Sequence, residues 1–267
     1  MELELIPARH RIPRISARTA RFFFEQFYLE ERPVIITGLV REWACYRRWT
    51  IDYLKEVIGA RHHTFRYEEG ATISLGVADY LDALARSDRD GDFARDFPAL
   101  PSATERLPYM RHFGPISGEL AEDYGIKSLF PEPELFSFSS FLFCGVPSTK
   151  TNCHYDWTHN FVGMIRGTKH VTLLPPKSEQ SMVVSDDLRE RMSVGNCDYF
   201  DDPTDLQLQP GGAGRPMHEH PVFARCPEVY YSPLRDGDVV FFPAYWYHYF
   251  HNVEGSISVA TQSCPLD

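Results

Sequence analysis

From Phe136 onward the chain runs as short apolar stretches, Phe136 to Phe143, Phe161 to Ile165, His170 to Leu174, Asp238 to Phe242 and Ser256 to Thr261, with Gly, Pro or Asp between them. Stretches this short, rich in aromatic and β-branched residues, are strands rather than helices of ordinary length. Strands of this kind leave no raw edge when they close on one another, which points to a barrel or jelly roll. Residues 186–225 interrupt the pattern with a polar, Gly/Pro-rich insert that includes Gln209-Pro-Gly-Gly-Ala-Gly-Arg215. An insert that long inside a compact domain is expected to be functional or mobile.

Residues 1–135 read as an α+β lead-in. Ser16 suits an N-cap for a helix over Ala17 to Tyr28, which places Ala20, Phe23, Phe24 and Phe27 on one face. Pro33-Val-Ile-Ile-Thr-Gly38 is a short buried strand. The segment from Thr50 to Gly59 starts on a cap residue and ends on Gly, and Gly76 to Arg86 keeps a helical period at Val77, Tyr80, Leu81 and Leu84. No linker divides the chain, so residues 1–267 are expected to form one domain, mainly β, with an N-terminal part over 1–135 and a strand-rich core over 136–267.

Hydrophobic residues make up 43% of the chain, enough for a real core. The 27 Lys and Arg against 37 Asp and Glu give a net charge of −10, and no basic run is present. That balance argues against a protein that tracks a nucleic-acid backbone, while leaving open recognition of a small structured RNA at one basic site. The apolar runs fall short of the ~20 residues of a bilayer span. The opening MELELIPARHRIPRI lacks a secretory signal, and the six cysteines form no CxxC pair. Reduced thiols and a cytoplasmic location are the expectation.

The chemistry begins at His154-Tyr-Asp156. On a strand, alternate residues share a face, so the imidazole and the carboxylate project into one cavity. Together they are two thirds of the facial triad that holds Fe(II) and leaves coordination positions open. Such a pair is common on protein surfaces, and it gains meaning only with a distal histidine. His248 supplies one at the end of Gly237-Asp-Val-Val-Phe-Phe-Pro-Ala-Tyr-Trp-Tyr-His248, although alone it also suits a hydrogen-bonded core histidine. Thr151 precedes the pair and Lys169 follows it, a hydroxyl and a cation able to hold the far end of a dicarboxylate. A lysine there is more often a solvated edge charge. Asn160 can bond a carboxylate near the metal, or simply serve a turn.

The set Thr151-x-x-His154-x-Asp156-x-x-x-Asn160, Gly167-x-Lys169, Leu174-Pro-Pro, Asp236-Gly-Asp238 and Pro243-x-Tyr-Trp-Tyr-His248 resembles the JmjC 2-oxoglutarate oxygenase family. Within it the chain is most similar to the hydroxylase branch typified by the asparaginyl hydroxylase of hypoxia-inducible factor. Pro33-Val-Ile-Ile-Thr-Gly-Leu-Val40 and Arg47-Arg-Trp-Thr-Ile-Asp-Tyr-Leu54 resemble the lead-in of that branch. The resemblance implies a double-stranded β-helix, or cupin, core with flanking helices. It implies Fe(II) on His154, Asp156 and His248, with 2-oxoglutarate and O2 as co-substrates. Lys169, Thr151 and Tyr109, in Glu105-Arg-Leu-Pro-Tyr109, would hold the distal carboxylate, and Asn160 would lie near the metal-proximal one. No catalytic group beyond the metal site is implied.

Two departures stand out. The family often carries an Asn on its last barrel strand, whereas this chain has Ala260 there, so Thr261 or Gln262 takes that role or it is lost. The sequence also ends just after that strand, without the helices that dimerise several relatives, so a monomer or weak dimer is expected. Trp157 and His159, between ligand and Asn160, are candidate substrate contacts. A protein or peptide side chain is the expected substrate. A free amino acid, a natural-product peptide or a tRNA base are the alternatives within the same chemistry, and no membrane partner is expected.

The remaining candidates carry less. His218-Glu-His220 sits in the polar insert without a third ligand, His62, His63 and His112 suit surface or hydrogen-bonded positions, and Gly211-Gly-Ala-Gly214 lacks the strand-to-helix context of a phosphate loop. Cys153 alternates away from His154 into the core. A ligand-binding cupin without activity would show a degenerate triad or no co-substrate lysine, and a Zn or Mn isomerase-type cupin an HxH pair with a following Glu. Here the triad and the lysine are both present, and His154-Tyr-Asp156 does not fit the isomerase cluster.

Overall fold

The computed structural model describes residues 10–66, 72–90, 109–147, 149–180 and 228–266. The insert over 186–225, with Gly211 to Gly214 and His218-Glu-His220, lies outside the described residues, as does the side chain of His112. The described strands are β1 (His10–Arg11), β2 (Arg14–Ser16), β3 (Val34–Thr37), β4 (His62–Arg66), β5 (Thr72–Gly76), β6 (Tyr109–Phe113), β7 (Phe136–Gly145), β8 (Lys150–His154), β9 (His159–Arg166), β10 (Thr168–Leu174), β11 (Tyr230–Arg235), β12 (Val239–Phe242), β13 (Tyr247–Asn252) and β14 (Ser256–Pro265). Every apolar run read as a strand is one. They form a five-stranded sheet, β1-β11-β10-β13-β8, and a seven-stranded sheet, β2-β3-β12-β9-β14-β7-β6, with β4 and β5 as a separate pair. This mainly β arrangement is the expected jelly-roll core. Among the described residues no helix is long and apolar enough to cross a membrane.

Register explains why β9 reads as an unbroken apolar run. It pairs with β12 on one side and β14 on the other, so Asn160 meets Phe242 and Gln262, and Val162 meets Val240 and Ala260. Side chains alternate, so Asn160, Val162 and Met164 share one face while Phe161 and Ile165 share the other. Val162 and Met164 join Val171, Leu173, Val240, Phe242 and Phe250 in a core between the sheets. Phe161 and Ile165 join a larger core with Phe23, Trp49 and Tyr80 from the N-terminal part. Both faces are therefore buried. The tight link to β10 falls at Gly167, whose φ is +80, and a Cβ there would lie 2.2 Å from the carbonyl oxygen of Gly255.

The lead-in departs from expectation at one point. Ser16 does cap, its Oγ accepting from the Arg18 amide at 3.1 Å, but Ala17–Phe22 is a 3₁₀ helix and Phe24–Tyr28 a π-type turn rather than one α-helix. The wider turn, with the Leu29 amide donating to the Phe24 carbonyl, carries Tyr28 into the same core as Phe23, their ring centroids 6.3 Å apart. At α-helical spacing, residues five apart would diverge. The helix Ile51–Ile58 begins as read, with Thr50 Oγ1 accepting from the Tyr53 amide, and the next is Val77–Asp90.

Phe23 is fully buried against Phe161 and Phe241, whereas its neighbour Phe22 is 41% exposed. Urea denaturation should show Phe23→Ala losing about 3–5 kcal/mol and Phe22→Ala changing by less than about 0.5 kcal/mol. Equal losses would contradict this packing.

Candidate metal centre

β8 and β13 are neighbours, and their register sets His248 opposite His154, ring centroids 4.1 Å apart. Asp156 does not continue the strand as the sequence pattern suggested. β8 ends on His154, and Asp156 belongs to the loop that follows. The loop nevertheless returns the carboxylate to the histidines: Oδ1 lies 3.9 Å from His154 Nε2 and Oδ2 3.6 Å from His248 Nε2. The Tyr245 amide donates to the Asp156 carbonyl at 2.7 Å and holds the loop there.

His248 Nδ1 lies 3.1 Å from the Trp246 carbonyl oxygen. A carbonyl only accepts, so Nδ1 carries a proton, and Nε2 is the ring nitrogen that faces Asp156 and can serve as a metal ligand. One atom from each of the three side chains falls within 4.8 Å of the others, and among the described residues this is the only such group of three. Two imidazole nitrogens and one carboxylate oxygen, gathered on one side of an open space, suit a divalent transition metal with coordination positions left for other ligands.

That space is a pocket between the two sheets, partly open to solvent, with about 520 Å³ of empty space when its open mouth is counted. The triad, Asn160 and Gln262 line it with Phe242 at one level; Lys169, Tyr109 and Phe143 line it at another. Leu173 stands opposite His248 in β10–β13, and Lys169 opposite Asn252. Four residues of strand, roughly 13 Å of backbone, thus separate the two levels.

Lys169 is not the solvated edge charge that lysines on strands usually are. It is 2% exposed, and its Nζ donates to Tyr109 Oη at 3.0 Å and Ser258 Oγ at 2.6 Å. The Tyr109 and Phe143 rings lie 5.5 and 5.7 Å from it. Among the described residues its hydrogen-bond partners are hydroxyls, with no carboxylate. Thr151 is buried and lines the cavity, and Asn160 does so while its Nδ2 donates to the Thr158 carbonyl.

The two candidate substrate contacts part company. Trp157 is 67% exposed, so it is not a core residue, and it stands beside the cavity rather than in its wall. His159 turns away from the cavity, a correction that follows from strand alternation once Asn160 faces in. Its ring packs on Tyr28 at 4.6 Å and Phe241 at 5.9 Å, and its Nδ1 accepts from the Ala244 amide at 3.2 Å. Burial holds its pKa below the usual histidine value, with Glu31 pulling the other way. On β14, Ala260 and Gln262 line the cavity, while Thr261 faces outward to bond Ser140 at 3.0 Å. Cys153 is buried. His62 is exposed, and His63 is half-buried against Phe65. The sequence reading missed Ser258, although it stands two residues before Ala260 and so shares its face.

A model of the cupin-like domain matches residues 19–261. JmjC domain-containing protein A of Dictyostelium discoideum is 28% identical over 245 residues, 87% of this chain and 88% of that protein. The mouse tRNA wybutosine-synthesizing protein 5 is 23% identical over 269 residues, 93% of this chain and 76% of that protein. Lysine-specific demethylase JMJ30 of Arabidopsis thaliana is 24% identical over 273 residues, 97% of this chain but 57% of that protein.

Two outcomes follow from the geometry. His248→Ala should weaken Fe(II) binding at least tenfold in anaerobic titration, because two protein donors hold the ion poorly against water; unchanged affinity would move the metal elsewhere. Trp157→Ala should keep thermal stability within about 0.5 kcal/mol, and a loss of core size, about 3–5 kcal/mol, would contradict its exposed position.

Proposed function

This chain belongs to the cupin-like domain family, with JmjC-domain proteins among its relatives, and we propose that it is an Fe(II)- and 2-oxoglutarate-dependent oxygenase. His154, Asp156 and His248 hold the metal. Lys169, Thr151 and Tyr109 hold the distal carboxylate of 2-oxoglutarate, and Asn160 lies by the proximal one. The observation that carries this reading is the buried ammonium of Lys169 in the same cavity as the triad. An ammonium taken out of water and given, among the described residues, hydroxyl acceptors alone is costly, and a bound carboxylate offsets that cost.

When bound, the iron supplies the redox chemistry by which O2 converts 2-oxoglutarate to succinate and CO2 and oxidises a C–H bond of the second substrate. The chain's own part is placement. Lys169 and its hydroxyl partners orient one end of the co-substrate, and His248, its ring fixed by the Trp246 carbonyl, turns Nε2 toward the metal position. Phe242, Phe250 and Val162 line the wall between the two ends and exclude water from it.

The second substrate on this reading is a protein or peptide side chain, which is hydroxylated as in the branch typified by the asparaginyl hydroxylase. The motif set and the JmjC relatives support it. A tRNA base is the second reading, favoured by the similarity to tRNA wybutosine-synthesizing protein 5 across 93% of the chain.

Succinate release from 2-oxoglutarate with Fe(II) tests the reaction class, and peptide libraries and tRNA as separate additions distinguish the substrates. A ligand-binding scaffold would release none. Lys169→Met should raise the 2-oxoglutarate requirement roughly tenfold to a hundredfold, the worth of one charge-assisted contact of about 1.5–3 kcal/mol. Fe(II) affinity should stay nearly unchanged. An unaltered requirement would place the carboxylate anchor elsewhere.

A further inference from the structure

Three consecutive residues of the turn between β12 and β13 make polar contacts, the first with His159 and the next two with Asp156 and His248. The Ala244 amide donates to His159 Nδ1 at 3.2 Å, the Tyr245 amide to the Asp156 carbonyl at 2.7 Å, and the Trp246 carbonyl oxygen lies 3.1 Å from His248 Nδ1. One short segment thereby sets the height of the Asp156 loop and the rotation of the His248 ring.

That segment is held under strain. Tyr245 has a φ of +63, a region that bulky L-residues rarely enter. Its side chain is 54% exposed, with the Tyr155 ring 6.1 Å away, so side-chain packing does little to keep it there. A conformation of this kind persists only where neighbouring contacts over-determine it. The contacts in question are the backbone bonds on either side, and one of them ends on a side chain, His159. That ring packs against the adjoining Tyr28 and Phe241 rings, 4.6 and 5.9 Å away, which restricts its rotation. Its Nδ1 must be an unprotonated acceptor, which leaves the ring proton on Nε2.

We propose that His159 is a positioning residue: by accepting the Ala244 N–H it locks the strained turn, and the turn holds Asp156 and His248 in the arrangement that binds metal. His159 touches neither the cavity nor the metal ligands, so its effect on them is transmitted through the turn. The proposal rests on the reading of His154, Asp156 and His248 as the metal site.

Co(II), whose visible absorption reports coordination symmetry, is the probe. Three variants separate the acceptor from the packing. His159→Asn keeps an oxygen acceptor close to the place of Nδ1, His159→Gln keeps polarity but displaces the acceptor, and His159→Phe keeps ring volume without any acceptor. His159→Asn should bind Co(II) within about threefold of the unsubstituted protein and with the same spectrum. His159→Gln and His159→Phe should bind at least tenfold more weakly, with an altered spectrum. If His159→Phe does not fold, the Asn and Gln pair decides. Equal binding by Asn and Gln variants, or binding by His159→Phe like that of the unsubstituted protein, overturns the proposal. Failure of the unsubstituted protein to bind Co(II) overturns the metal reading itself.

Discussion

In the middle of the larger sheet, β9 is buried on both faces from Asn160 to Ile165 and β14 beside it from Ser256 to Val259, and this two-sided burial governs what each residue there can be. Outward side chains, Phe161 and Ile165 on β9 with Ile257 and Val259 on β14, need an apolar layer to cover them, and the N-terminal part supplies it through Phe23, Trp49 and Tyr80. Inward side chains face the smaller sheet, where Val162 and Met164 meet Val171, Leu173 and Phe250. Polar groups can stand on the inward face only where they converge on one cavity, since an isolated buried polar group is costly. Asn160, Gln262 and Ser258 occupy those places.

The cavity is polarised along its length. A cation sits at one level and two imidazoles with a carboxylate at the other. On the proposed reading, a divalent metal, one aspartate and one lysine leave two positive charges, which a dicarboxylate neutralises by reaching between the metal position and the Lys169 ammonium, both extended into the cavity from their strands. Charge balance and shape thus favour the same ligand class, whereas either end alone would accept many. The exposed Trp157 and Tyr245 stand outside this interior.

Much of this arrangement was legible in the chain because strand periodicity is a local property. The apolar runs mark the barrel strands, and His154 with the distant His248 marks the candidate metal site. Asp156 was legible for a reason that does not hold, since pairing with β13 ends at His154 and the carboxylate is returned by a loop held by Tyr245. His159 and Asn160 are adjacent on one strand, so they cannot both face the cavity, and alternation alone could have separated them. The π-type turn at Phe24–Tyr28 was not legible, because its cause is tertiary. The core it enters, formed with Phe130 and Phe161, comes from sequence far away.

Calorimetric titration of the Fe(II)-loaded protein, without oxygen, with three small acids tests the two-ended cavity most directly. The acids are 2-oxoglutarate, 2-oxobutyrate, which lacks the distal carboxylate, and glutarate, which lacks the keto group. The account predicts that 2-oxoglutarate binds at least tenfold more tightly than either of the others, and that its advantage over glutarate disappears when the metal is removed. Equal affinities for all three acids, or an advantage over glutarate that survives metal removal, would contradict it.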